Sequence, residues 1–311
     1  MSEITEITSG LRFPEGPVAM PDGTVLVVEM FGECVTRVFP DGTKQTVAHV
    51  PGGPNGAAIG PDGALYLCNN GGSFTAMEFR ELTFPGAFDG NRYLGGSIQR
   101  LDLATGELTT LYTHCDGRPL RGPNDLVFDA HGGFWFTDHG IRDRAARKGD
   151  ITGIYYALPD GSFISEQVFP TEAPNGIGLS PDGNVLYWAE TDTGRVWRRK
   201  VVAPGVVEKP AGLDEWPCLA GLPGHQLLDS LAIDAEGNVC VATLINGGIT
   251  VISPHDGSMH HVPVDDRITT NICFGDNDGS GEYRDAYITA STTGRLLHMR
   301  WPTRGLRLNW L

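Results

Sequence analysis

The sequence predicts an all-β protein, a six-bladed β-propeller with four-stranded antiparallel blades, and two features of the chain carry that expectation. One polar residue recurs in the same phase in six short segments: FPEGP at Glu15, GPNGA at Asn55, GPNDL at Asn124, APNGI at Asn175, LLDSL at Asp229 and TTNIC at Asn271. Each is followed, eight residues later, by a glycine (Gly23, Gly63, Gly132, Gly183, Gly237 and Gly279), usually within a Pro-Asp-Gly or Ala-Glu-Gly turn between two apolar runs. The unit averages about 51 residues, which is room for four strands and their turns.

The first unit shows the order most openly: GPVAM, a PDG turn, TVLVVEM, then CVTRVF, another PDG turn and TKQTVAHV. These are short runs rich in β-branched residues and bounded by turn formers. The second unit repeats the order with GAAIG, ALYLCNN, SIQRLDL and ELTTLYT, interrupted by a long insertion at 71–95. The third reads LVFD, FWFTD, GIYYAL and SFISEQVF. Helical periodicity is confined to 139–149 (HGIRDRAARKG), where a short turn of helix is expected. The expectation is one ring-closed domain over 1–311, its last blade completed by either ITEITSG at the N-terminus or GLRLNWL at the C-terminus.

Composition agrees with a turn-rich β fold. The 311 residues include 42 glycines and 21 prolines, with aromatics spread along the chain. A net charge of -15 argues against nucleic acid and anionic membranes as partners and favours cations near the surface. The N-terminus is acidic and polar, so no signal peptide is expected, and no apolar run approaches the roughly 20 residues that span a bilayer. Cys34, Cys68, Cys115, Cys218, Cys240 and Cys273 stand singly, as expected of buried, reduced thiols in a cytoplasmic protein.

In a blade whose innermost strand comes first, a residue just before that strand lies at one mouth of the central channel. The loops after each second strand emerge on the same face, and the PDG turns lie opposite. Six units therefore bring Glu15, Asp229, Asn55, Asn124, Asn175 and Asn271 toward one axis. Two carboxylates there repel unless a proton or a cation intervenes. An all-oxygen set without His or Cys suits a hard divalent ion such as Ca2+, with Mg2+ or Mn2+ as alternatives, better than structural zinc. The competing role for the same residues, strongest for Asn55 and Asn271, is to satisfy backbone groups in turns.

The chain resembles the senescence marker protein (regucalcin), gluconolactonase and luciferin-regenerating-enzyme family of metal-dependent six-bladed propellers. The resemblance rests on FPEGP, GPNDLVFD, FWFTD ending at Asp138, APNGIGLSPDG, YWAETDTGRVW and LDSLAID, in order along nearly the whole chain. It implies that Glu15, Asn175 and Asp229 bind the ion and that Asn124 contacts metal or substrate, with Fe2+ and Zn2+ added to the ions the site would accept. Two departures stand out. Gly122 occupies the place of an arginine common in members acting on sugar lactones, with Arg121 one residue further away, and Ser230 replaces the glycine that usually follows the matched aspartate.

The implied activity is metal-dependent hydrolysis of a small, sugar-derived lactone. A bound ion would polarise the carbonyl as water attacks, and Asp229 is the expected general base, with a pure ligand role as its rival. Asn124, Asn55, Asn271, Arg121 and His139 are the expected substrate contacts. The aromatics of the insertion, Phe74, Phe79, Phe84, Phe88 and Tyr93, would roof the mouth or pack the loop, and Arg142, Arg144, Arg147 and Lys148 would attract an anion or stay solvated. Two other functions remain open: phosphotriester hydrolysis, as in the propeller enzyme diisopropylfluorophosphatase, and non-catalytic binding of calcium or a small ligand.

Overall fold

The short β-branched runs pair into six antiparallel sheets, each entered through its inner strand: Pro14–Ala19, Pro54–Ile59, Pro123–Phe128, Pro174–Leu179, Leu227–Ile233 and Thr269–Gly275. The structure, a computed structural model, describes residues 3–210, 212, 218–276 and 279–311. Neighbouring inner strands pack side by side around the ring, and that of blade six lies against that of blade one. The outermost strand of blade six is Thr5–Thr8, paired antiparallel with Arg295–Arg300. The N-terminus thus closes the ring, which leaves the C-terminus another task.

Residues after Trp301 run across the far end of the channel. Gly305 bridges to Asp234, Asn309 Nδ2 donates to Phe128 O (3.0 Å), and Trp310 Nε1 donates to Asp129 O (3.0 Å). Above this plug lies a cavity of about 440 Å³, bounded by inner-strand residues such as Gly16, Asp125 and Ile177 and by Leu306–Asn309.

The turn chemistry follows the sequence closely. All six phased glycines have φ between +64° and +90°, where a side chain is strained. The turn aspartates accept from the backbone two residues on, as in Asp22 Oδ1 with Thr24 N (3.0 Å). Blade cores fill the space between sheets with large side chains such as Trp135 and Trp188, both almost fully buried.

Three details differ from the simplest repeat. Blade four has five strands, because Arg195–Ala203 pairs with both Cys218–Gly221 and Val206–Val207. The segment 139–149 is not helical: Arg142–Asp143 pairs with Lys148–Gly149 in a small hairpin. Asp150 N donating to Ile141 O, Ile141 N donating to the Asp150 carboxylate, and positive φ at Gly140 and Arg147 hold it open against a helix. Finally, all six thiols are free, but Cys218 is exposed on its edge strand and Cys273 is half-buried, leaving four that are buried. Among the described residues no helix is long and apolar enough to cross a membrane.

Candidate active site at the axial mouth

Each inner strand loses regular pairing with its neighbour close to the phased residue, between Glu15 and Val18, Pro54 and Ala57, Pro123 and Leu126, Pro174 and Ile177, and Leu228 and Leu231, and in blade six just before it, between Thr269 and Asn271. Such bulges re-aim side chains at the rims of closed sheets. The neighbouring residue then faces the next blade. A Cβ on Gly16 would stand 2.4 Å from Asn55 O, one on Gly56 2.5 Å from Asn124 O, and one on Gly176 2.5 Å from Leu231 N. Glycine at these places lets adjacent inner strands approach, which draws the phased residues together.

All six phased residues are buried, none more than 8% exposed. Asn175 Nδ2 donates to Thr191 Oγ1 (3.1 Å), which itself donates to Leu228 O (2.7 Å), and Ser230 Oγ donates to Asn175 Oδ1 (3.5 Å). Asn271 Nδ2 donates to Glu15 Oε2 (3.5 Å), while its Oδ1 is taken by Ile272 N (2.8 Å). Asn55 Nδ2 lies 3.8 Å from Met30 Sδ. Among the described residues, the Oδ1 atoms of Asn55 and Asn124 have no hydrogen-bond partner.

The electrostatics are dominated by burial. Burial, then the Asp229 charge, hold the Glu15 carboxyl well above the usual range, against hydrogen bonds from Thr270 and Asn271. Burial pushes Asp229 up to about 7, opposed by a hydrogen bond from Asn175 and reinforced by Asp125. Asp125 is a third buried carboxyl, also pushed up to about 7 by burial. In GPNDL this acid stands where blades one, two and four have glycine. The groups acting most strongly on these three acids are each other, hydroxyls, amides and backbone N–H groups, and none carries positive charge.

In the absence of cations these raised acids make stability depend on pH. An acid whose pKa is raised on folding binds more protons folded than unfolded, so stability falls as pH rises from the ordinary carboxylate range through about 7. With a chelator present, the melting temperature should drop by about 5 °C or more between pH 5 and pH 8, measured by scanning calorimetry. A flat profile would mean that these carboxyls are not desolvated.

A second repeated device surrounds the mouth. The residue fourteen or fifteen places after the phased one accepts backbone N–H groups of the entering loop in four blades. Glu29 takes Arg12 N (2.7 Å), Asn69 takes Gly53 N (2.9 Å), Asp138 takes Arg121 N and Gly122 N (2.7 Å each), and Glu190 takes Glu172 N (3.1 Å). Asp138 therefore holds the loop that leads into the strand carrying Asn124. Arg121 Nε is paired with Asp150 (2.8 Å) and its guanidinium lies over Tyr93 (5.6 Å), so it clamps blade three to the insertion. His139 is buried, its pKa lowered by burial, with its ring edge-on to Phe74 (6.0 Å).

The insertion forms an exposed hairpin, Ala76–Phe79 with Leu82–Pro85, and reaches blade six through Thr83 N donating to Thr292 O (3.0 Å). Tyr93 OH donates to Arg121 O (2.6 Å) at its return. Phe79 is 57% exposed, so the aromatics do not act as one packed roof. In the basic loop, Arg142 bonds to Asp192 (3.2 Å) and ties blade three to blade four.

The sequence profile of the SMP-30/Gluconolactonase/LRE-like region matches residues 13–292, all six phased residues included. The chain belongs to this family. It is 29% identical over 251 residues to the lactonase drp35 of Staphylococcus haemolyticus, covering 77% of this chain and 66% of that one, just under two thirds of the relative's length. A gluconolactonase structure from Xanthomonas campestris superposes with a TM-score of 0.74 at 21% identity, over 97% of this chain and 90% of that one. The calcium-binding protein regucalcin from Agrobacterium tumefaciens superposes with a TM-score of 0.72 at 18% identity, over 99% and 98%. These two structural likenesses carry the six-bladed fold. Among the described residues, no three His, Cys, Asp or Glu side chains are grouped so as to hold a metal ion, so a cation at this mouth would need amide oxygens.

Proposed function

We propose that the protein hydrolyses a small lactone with the help of a divalent cation, Ca2+ first among the candidates, held by Glu15, Asn124, Asn175 and Asp229. The observation that carries the reading is the convergence of uncompensated buried acids with a buried amide oxygen, Asn124 Oδ1, that has no partner. Two carboxylates and two amides form a hard, all-oxygen donor set of the kind such ions take. When bound, the ion supplies charge that polarises the lactone carbonyl and stabilises the developing oxyanion.

The protein's own groups supply the rest. The Asp229 carboxylate takes the proton of the attacking water as its oxygen bonds to the carbonyl carbon. The ring C–O bond then breaks, and the proton passes to the departing alkoxide, giving the open hydroxy acid. Asn175, fixed by Thr191, donates to Asp229 and favours its ionised form. Asn271 orients Glu15 in the same way. Family membership and the likeness to a named lactonase support the reaction class.

A pH-indicator assay over a lactone panel tests the reading. Acid release should appear with at least one lactone, fall to background with chelator, and return on adding Ca2+. Tight Ca2+ binding without hydrolysis of any lactone would instead support a binding protein.

A further inference from the structure

We propose that a cleft on blade two, separate from the axial mouth, binds the carboxylate of a small organic acid through Ser97, Gln99, His114 and Arg121. The cleft has a volume of about 530 Å³, within the range of about 300–1,000 Å³ usual for small-molecule sites, and none of the six phased residues lines it. It opens where the insertion returns to its blade. Ser97 and Gln99, 7% and 9% exposed, stand on the strand Ser97–Leu101, Arg121 lies in the loop that enters blade three, and Tyr93 of the insertion adds a further wall. Among the described residues no Asp or Glu lines the cleft, in a chain that carries 38 of them.

The polar groups of this cleft are donors with bonds still to make. Asn69 Nδ2 donates to Gln99 Oε1 (3.0 Å), which occupies the amide oxygen. Among the described residues the Gln99 amide nitrogen and the Ser97 hydroxyl have no hydrogen-bond partner. Arg121 commits Nε to Asp150 (2.8 Å), and its two Nη groups make no hydrogen bond among the described residues. Tyr93 fixes this arginine, its ring against the guanidinium (5.6 Å) and its hydroxyl donating to Arg121 O (2.6 Å). His114 is exposed, with Thr113 Oγ1 2.9 Å from its Nδ1; when that hydroxyl donates, the ring proton sits on Nε2.

A group of donors with no acid among them is complementary to a charged acceptor. A carboxylate offers two oxygens with about four lone-pair sites and no N–H or O–H of its own, so it can take a guanidinium fork, an amide and a hydroxyl together. Hydrogen bonds to an ionised acceptor are roughly twice as strong as those between neutral groups, which favours the acid over its amide. Ser97 and Gln99 are more than nine-tenths buried, where water competes least for their N–H and O–H groups. The axial mouth makes the opposite demand: without a cation its three buried acids, Glu15, Asp125 and Asp229, repel an anion.

That contrast sets the test. Protein freed of metal on a chelating resin is titrated calorimetrically near pH 7.5 with 4-hydroxybutanoate and with its uncharged amide, 4-hydroxybutanamide, so that binding of the anion reports the cleft and not a cation at the mouth. The wild type should bind the carboxylate with a Kd of about 1 mM or below, about tenfold more tightly than the amide. Ser97→Ala and Arg121→Gln should each cut that ratio about threefold or more. Thermal melts check folding, and His114→Ala, at an exposed position, carries the same comparison if either of the others does not fold. Equal affinity for the two ligands, no binding of the carboxylate, or an unchanged ratio in the folded variants overturns the site. The titration involves no hydrolysis, so the expected ratios in a protein that opens no lactone would leave this site standing and remove only the hydrolase reading.

Discussion

Asp229→Asn is expected to reduce kcat for lactone opening by about 10³-fold or more, because it removes both the proposed proton acceptor and one charge facing the cation. Glu15→Gln should lower activity mainly through loss of the ion, so elemental analysis of the purified variants separates the two roles. A full equivalent of metal retained in both would sink the four-donor site. The stability readout moves the opposite way. At pH 8 in chelator, either variant should melt above the wild type, since each removes a buried carboxyl that must otherwise ionise against its neighbours. A carboxylate kept for structure would show the reverse, activity intact and stability lost. The pairing of lost activity with gained stability marks an acid held in an unfavourable place for function.

The ring and the axial residues were legible because both are local and repeated. A polar residue eight places before a turn glycine is visible in six copies, and the structure puts all six glycines at positive φ and all six polar residues in buried positions at the inner strands. Which terminus completes the last blade was not legible, because the choice rests on Thr5 pairing with His298, a contact that no local pattern encodes. The hairpin at 139–149 carries helical spacing in its sequence, yet the bond from Asp150 N to Ile141 O depends on a glycine bend and not on periodicity. The acceptors Glu29, Asn69, Asp138 and Glu190 form a second series that the sequence did carry. It was hidden because three residue types share one task, accepting N–H groups from the entering loop. Asp125 escaped for a different reason: what marks it is deep burial beside Asp229 and Glu15, a property of the folded chain alone.

The close approach of the inner strands makes the strongest structural prediction. Gly176→Ala should destabilise the protein by about 3 kcal/mol, a fall of roughly 6–10 °C in melting temperature, and weaken metal binding with it. The added methyl would stand 2.5 Å from Leu231 N, 2.6 Å from Ser230 C and 2.7 Å from Ser230 Cα. These are backbone atoms of the neighbouring blade, and no rotamer change can yield the space. Relief requires the inner strand of blade five to move outward, and that strand carries Asp229 and the Ser230 hydroxyl bonded to Asn175. Gly183→Ala is the informative comparison. Its φ is +71°, yet an added Cβ there meets nothing within 4 Å, so only backbone strain of about 1 kcal/mol is expected, with metal affinity unchanged. If the two variants melt together, conformational freedom is what glycine supplies at both places. If Gly176→Ala melts well below, the ring is held at the axis by strands packed too closely for a side chain, and the site's geometry follows from that packing.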